Sequence, residues 1–162
     1  MADFLSSKDV EILRSLRTDC RRPMGLVGED VGVSKATVSR RVSKLEEDGI
    51  IKGYDLNVDS NKIGIMKAMV AIQIVGSPVS IVIEQLQTYR EISTIYKSFG
   101  DHNIVCLVYA RSVDDLYDMI QTKLLKMPSV RNVEVDILVN EMRVNPNSDL
   151  EIYSVGLGPD SE

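Results

Sequence analysis

The sequence lacks tryptophan and has one histidine and two cysteines in 162 residues. Cys20, Cys106 and His102 are too scattered to form a paired disulfide spacing or a set of zinc ligands, so no metal site is expected and both thiols should be reduced. No paired catalytic carboxylates, nucleophile–base pair or glycine-rich phosphate loop is visible, which excludes catalytic residues and a bound cofactor from the expectation. No apolar run approaches the roughly 20 residues of a membrane-spanning helix. The opening stretch MADFLSSKD lacks the basic-then-apolar order of a signal peptide, so a cytoplasmic protein without a membrane partner is expected. Positive charge is also scarce: the net charge of −5 argues at first sight against nucleic acid.

That charge is unevenly placed. Residues 1–53 hold ten Lys/Arg against nine Asp/Glu, and the remainder holds nine against fifteen. The asymmetry suggests two parts with two tasks. A part of about 50 residues buries too little surface to be comfortably stable alone, so partner contacts, with a homodimer as the simplest, are expected.

Three helices are predicted in the first part. Ser7 is positioned to cap one from Lys8 to about Thr18, with Ile12, Leu13 and Leu16 on one face. Pro23 is suited to open a second, short helix carrying Met24, Val27 and Val31 and ending at Gly32, although Gly25 and Gly28 weaken it. Ser34 then caps a helix from Lys35 to Asp48 that stops at Gly49. Val38, Val42 and Leu45 form its inward stripe; Lys35, Ser39, Arg40 and Ser43 lie opposite, with Arg41 and Lys44 on the flanks, and no acidic residue occurs between Val31 and Leu45. Ile50 to Tyr54 read as a short strand, and Asp55 to Gly64 as a polar linker.

From Met66 the period changes. Strands are predicted over Met66 to Val75, Ile92 to Phe99, Ile104 to Tyr109 and Val133 to Val139. Helices between them carry Val79, Val82, Ile83 and Leu86, then Val113, Leu116, Tyr117, Ile120 and Leu124. The order βαββαβ is the ferredoxin-like pattern, with helices on one face of an antiparallel sheet whose other face needs a cover, most simply a second subunit. The expected fold is therefore α+β: a winged helix-turn-helix domain at 1–53, a linker strand or hinge at 54–65, a ferredoxin-like domain at 66–142, and a tail at 143–162 with an extra strand around Ile152 to Leu157.

A three-helix unit with a tight turn before its last helix is the architecture that lays that helix in a DNA major groove. Ser34, Lys35, Thr37, Ser39, Arg40, Arg41 and Lys44 are the candidate DNA-binding residues: Arg forks match guanine, Lys supplies a point charge, and hydroxyls and helix-start amides suit phosphate. A solvated basic helix face is the competing reading, and the capped helix, the short helix before it and the charge asymmetry weigh against it.

The stretch from Asp9-Val-Glu-Ile-Leu through Ser34-Lys-Ala-Thr-Val-Ser-Arg-Arg to Leu45-Glu-Glu-Asp-Gly-Ile-Ile-Lys-Gly-Tyr54 resembles the DNA reader of the Lrp/AsnC family of transcriptional regulators, the feast/famine regulatory proteins. The second half is similar to that family's ligand-sensing and assembly domain, including Phe99-Gly100-Asp101 and Met127-Pro128-Ser129-Val130. The resemblance implies a sheet-mediated dimer, with tetramers or octamers beyond it, on palindromic promoter sites in double-stranded DNA. It also implies an amino-acid effector held near the glycine–aspartate loop. Gly100 and Asp101 match that loop and His102 lies beside them, so these three are the effector-binding candidates; Gly100 alternatively serves only a tight β-turn. His102 and Asn103 replace aromatic and acidic residues common there, and Val135 stands where many members have threonine. Haem-biosynthetic decarboxylases of similar two-domain form usually carry a tryptophan motif that this sequence lacks. A weakly specific, DNA-wrapping architectural protein is the alternative to a specific regulator.

Overall fold

The structure is a computed structural model and describes residues 5–156. The chain divides into two compact units: one runs through Leu56 and takes in the chain again from Met142, and the other spans Asn57–Glu141.

The first unit is helical. Helices α1 (Ser7–Thr18), α2 (Met24–Val31) and α3 (Lys35–Glu47) bury Ile12, Leu16, Val27, Val31, Val38 and Val42 between them. The cap of α1 is Ser6 rather than Ser7. Asp9 lies three residues after Ser6, so the two close a reciprocal capping box: the Asp9 amide donates to Ser6 Oγ at 3.2 Å and the Ser6 amide to Asp9 Oδ2 at 3.0 Å. Helix α2 follows Pro23 and ends at Gly32, whose φ of 74° supplies the left-handed cap. Gly28 has a different reason to be glycine. A Cβ there would lie 2.5 Å from the carbonyl oxygen of Val33, so its absence lets the turn into α3 fold tightly against α2.

Two expectations fail in this unit. Ile50 to Tyr54 are not a strand, since residues 5–56 contain none. The amides of Ile50 and Ile51 instead donate to the Leu45 carbonyl at 2.9 and 3.0 Å, finishing the end of α3. The tail is not a strand either: Ser148–Gly156 forms helix α6, and Leu157 lies outside the described residues. Asp149 and Glu151 suit the positive end of a helix, and a single apolar anchor, Leu150, is buried.

In the second unit a 3-10 turn (Asn61–Ile63) leads into β1 (Met66–Ile74), α4 (Val79–Leu86), β2 (Ile92–Lys97), β3 (Ile104–Ala110), α5 (Val113–Met119) with a π turn (Ile120–Leu124), and β4 (Val130–Leu138). The sheet is antiparallel in the order β2-β3-β1-β4, which puts the two near-continuous apolar strands in the centre. Ala68, Val70 and Ile72 of β1 pair with Val108, Cys106 and Ile104 of β3, and all six point under the helices. Val82 and Leu86 of α4 and Leu116, Ile120 and Leu124 of the second helical segment complete that core, joined by Met119. Tyr117, expected on the inward face, lies ~100° round the helix from Leu116 and is exposed, as is Val113 in the first turn.

Among the described residues of this unit no helix covers the other face of the sheet. Its cross-strand rows read Tyr96–Val105–Ala71–Glu134, Thr94–Leu107–Met69–Asp136 and Tyr109–Lys67–Leu138. The middle is apolar, with Met69 41% exposed, Tyr96 on the β2 margin is 58% exposed, and the β4 margin is acidic. No helix among the described residues is long and apolar enough to cross a membrane.

Candidate nucleic-acid interface and effector loop

Helix α3 is oriented by its apolar stripe. Val38, Val42 and Leu45 are buried, so Lys35, Ser39, Arg40, Ser43 and Lys44 face outward and are exposed. At its start Ser34 Oγ accepts from the Thr37 amide at 3.2 Å and lies 2.9 Å from Thr37 Oγ1. The two hydroxyls and the first free amides of the helix thus cluster at its positive end, where an anion is favoured. Lys35 and Arg40 have no hydrogen-bond or ion-pair partner among the described residues, whereas the neighbouring acid on α2, Asp30, is held by Arg22 at 2.6 Å. At Lys35 and Arg40 the outward face therefore keeps its positive charge unneutralised among the described residues.

Arg41 is placed differently from the other basic residues of α3. Its guanidinium turns back to α1, donating to Asp9 Oδ1 at 2.9 Å and to Ser6 Oγ at 3.0 Å. Burial pushes the Asp9 carboxyl up, but the hydrogen bonds from Ser6 and Arg41 outweigh it and hold the group below its usual range. A charged, half-buried strut thus joins α3 to the cap of α1.

In the second unit, residues 98–103 connect β2 to β3. The turn is fastened by Asn103: its amide donates to the Ile72 carbonyl at 3.0 Å, and its side-chain oxygen accepts from the Ile74 amide at 2.7 Å. Gly100 takes a φ of 155° in this turn, and a Cβ there would meet nothing within 4 Å. Asp101 is exposed, and His102 Nε2 lies 3.3 Å from Glu134 Oε2 on β4. The three effector candidates are therefore together in one loop. Sequence reasoning overlooked Glu134 as a neighbour of His102 and Asn103 as the loop's anchor. Among the described residues no group of His, Cys, Asp and Glu is arranged to hold a metal ion.

Comparison with known proteins agrees with both halves. Residues 5–52 match a winged helix-turn-helix DNA-binding family, and residues 67–147 match the Lrp/AsnC ligand binding domain. The chain belongs to the Lrp/AsnC family. The regulator LrpA of Pyrococcus horikoshii is 30% identical over 141 residues, covering 86% of this chain and 100% of that one. AsnC of E. coli shares the fold with a TM-score of 0.78 at 23% identity, over 89% of this chain and 99% of that one. So does a Neisseria meningitidis transcriptional regulator solved as an L-Met complex, with a TM-score of 0.79 at 17% identity, over 90% of this chain and 99% of that one. As a Lrp/AsnC protein the chain is a DNA-binding transcriptional regulator with a reader and a ligand-binding domain, from a family that is oligomeric and not enzymatic.

Proposed function

We propose that this Lrp/AsnC regulator works in the cytoplasm as a symmetric dimer that sets two α3 helices in successive major-groove half-sites of a palindromic promoter element. The reader is residues 1–53, the hinge 54–65, the assembly and effector domain 66–142 and the tail 143–162. The observation that carries the reading is the outward face of α3, where Lys35 and Arg40 are exposed and unpartnered among the described residues. Lys35 and Arg40 meet base edges or phosphates, and Ser34, Thr37, Ser39 and Lys44 meet phosphate. Arg41 contributes by holding α3 against α1 through Asp9.

The dimer forms through the uncovered sheet face, whose apolar middle is a ready surface for a second copy. Gly100, Asp101 and His102 take part in binding an amino acid, a class supported by the L-Met complex of the Neisseria protein. The effector acts by binding one assembly state better than another. Replacing Arg40 by Ala tests the reader. Binding to a selected site should weaken by about 1–3 kcal/mol if Arg40 reads a base, and the salt slope should fall by about one if it meets phosphate. Unchanged affinity with an unchanged salt slope overturns the assignment of α3. Footprints confined to a palindrome support specific regulation, whereas protection that spreads with concentration favours DNA wrapping.

A further inference from the structure

The match to the Lrp/AsnC ligand binding domain ends at residue 147, immediately before α6. This last helix does not belong to the sheet unit from which the chain emerges; it is part of the helical unit and packs on α1. Both Arg17 terminal nitrogens engage Asp149, and Arg17 Nη1 also donates to the Pro146 carbonyl at 2.8 Å. Tyr153 donates its hydroxyl to the Leu5 carbonyl at 3.4 Å, and Leu150 is only 6% exposed. Asn145 closes the start of the segment by donating to Glu151 at 2.7 Å.

The chain therefore crosses between the units twice, at Leu56/Asn57 and again at Glu141/Met142. On the sheet unit the two crossings leave from one corner. Lys67 at the start of β1 pairs with Leu138 at the end of β4, Lys67 Nζ meets Glu141 at 2.9 Å, and Asn61 Nδ2 donates to the Val139 carbonyl at 3.5 Å. A single linker of this length would leave a reader free to swing, whereas two anchored straps restrict its rotation.

We propose that residues 139–156 are a second strap that positions the reader, with α6 as its clasp and Arg17 and Asp149 as its positioning residues. The Arg17 side chain is 35% exposed and that of Asp149 66%, so the ion pair is screened and the clasp can open without unfolding either unit. In the dimer, a closed clasp would hold the two α3 helices to one half-site spacing. That consequence rests on the reading of α3 as the DNA-contacting helix, but the strap itself does not.

The test uses the full chain labelled with nitroxides at exposed Cys20 and at an introduced Asp114→Cys, mixed with an excess of unlabelled protein so that only intrachain pairs are read. Cys106 is buried, with its thiol pushed up to about 11, and stays unlabelled. The unaltered clasp should give a narrow distance distribution, Arg17→Asp should at least double its width, and Arg17→Asp combined with Asp149→Arg should restore it. Rescue by the reversed pair separates a released clasp from a reader that has simply unfolded. A distribution already as broad before mutation, an unchanged width in Arg17→Asp, or no rescue by the reversed pair overturns the strap. On duplexes with the half-sites moved apart by one to five base pairs, the released variant should lose affinity less steeply than the parent. If the widths respond and neither protein binds DNA, the strap stands and the reader assignment fails.

Discussion

The two units hold themselves together by different means. The sheet unit buries a continuous apolar core from four strands and two helical segments, including Val70, Ile72, Leu86, Ile104 and Leu124 at 0% exposure. The helical unit has a smaller core, so its charged struts, Arg41 to Asp9, Arg22 to Asp30 and Arg17 to Asp149, carry a larger share of its geometry than Lys123 to Glu91 and Lys67 to Glu141 do in the sheet unit. Apolar burial is strong and non-directional, while hydrogen-bonded charges are weaker and fix geometry. The contrast suits the two tasks. Assembly requires a firm platform, and reading DNA requires a helix held at a defined angle by contacts that can be adjusted.

Mutations that remove one kind of support should therefore act differently in the two units. Leu86→Ala, at a fully buried position, should cost about 2–5 kcal/mol, seen in denaturant unfolding followed by a probe in the sheet unit. An effect under 1 kcal/mol would show that the core relaxes around the deletion and is not the firm platform described. Gly28→Ala should come next. The new methyl must displace the Val33 carbonyl, at a cost of about 1–3 kcal/mol, and because the shift falls in the turn into α3, DNA affinity should fall while self-association does not change. Loss of both together would mean that the units are not independent in this respect.

Much of this contrast is legible in the sequence, and the failures have local causes. The change from helical to alternating period at Met66 marks the second unit, and the richest apolar runs identify the central strands, β1 and β3, which carry apolar residues on the open face of the sheet as well as under the helices. Ser34 and Gly49 bracket α3 nearly to the residue, since caps are written in the residues themselves. Ser6-x-x-Asp9 is an equally local signal, and it moves the cap of α1 by one residue. Ile50 to Tyr54 and Ile152 to Leu157 look like strands because β-branched residues favour them, but a strand requires a partner, and pairing is not a local property. The role of Arg41 was hidden for the same reason: its charge is visible in the chain, but its partner lies 32 residues away. In the loop between β2 and β3, the glycine and aspartate are readable, whereas the anchoring by Asn103 depends on β1 lying alongside.

The smallest effect probes the strut itself. Asp9 has its pKa lowered in the folded chain, so it binds a proton less readily there than when unfolded. Its contribution to stability is therefore complete above the unfolded carboxylate value of about 3.9 and is lost as pH falls through the lower folded value. The helical unit should be insensitive to this group from neutrality down to about pH 5, then lose stability on further acidification. Asp9→Asn keeps the shape but removes the charge. It should cost about 1 kcal/mol at pH 7 and should flatten the acid limb of the unfolding curve, because no titration remains at that position. The sheet unit supplies the internal control: its buried core contains no Asp or Glu, so the Asp9→Asn change should leave its pH profile where it was. If the two profiles shift together, charge at Asp9 is felt beyond α1 and α3, and the division of labour between the units is less complete than their cores suggest.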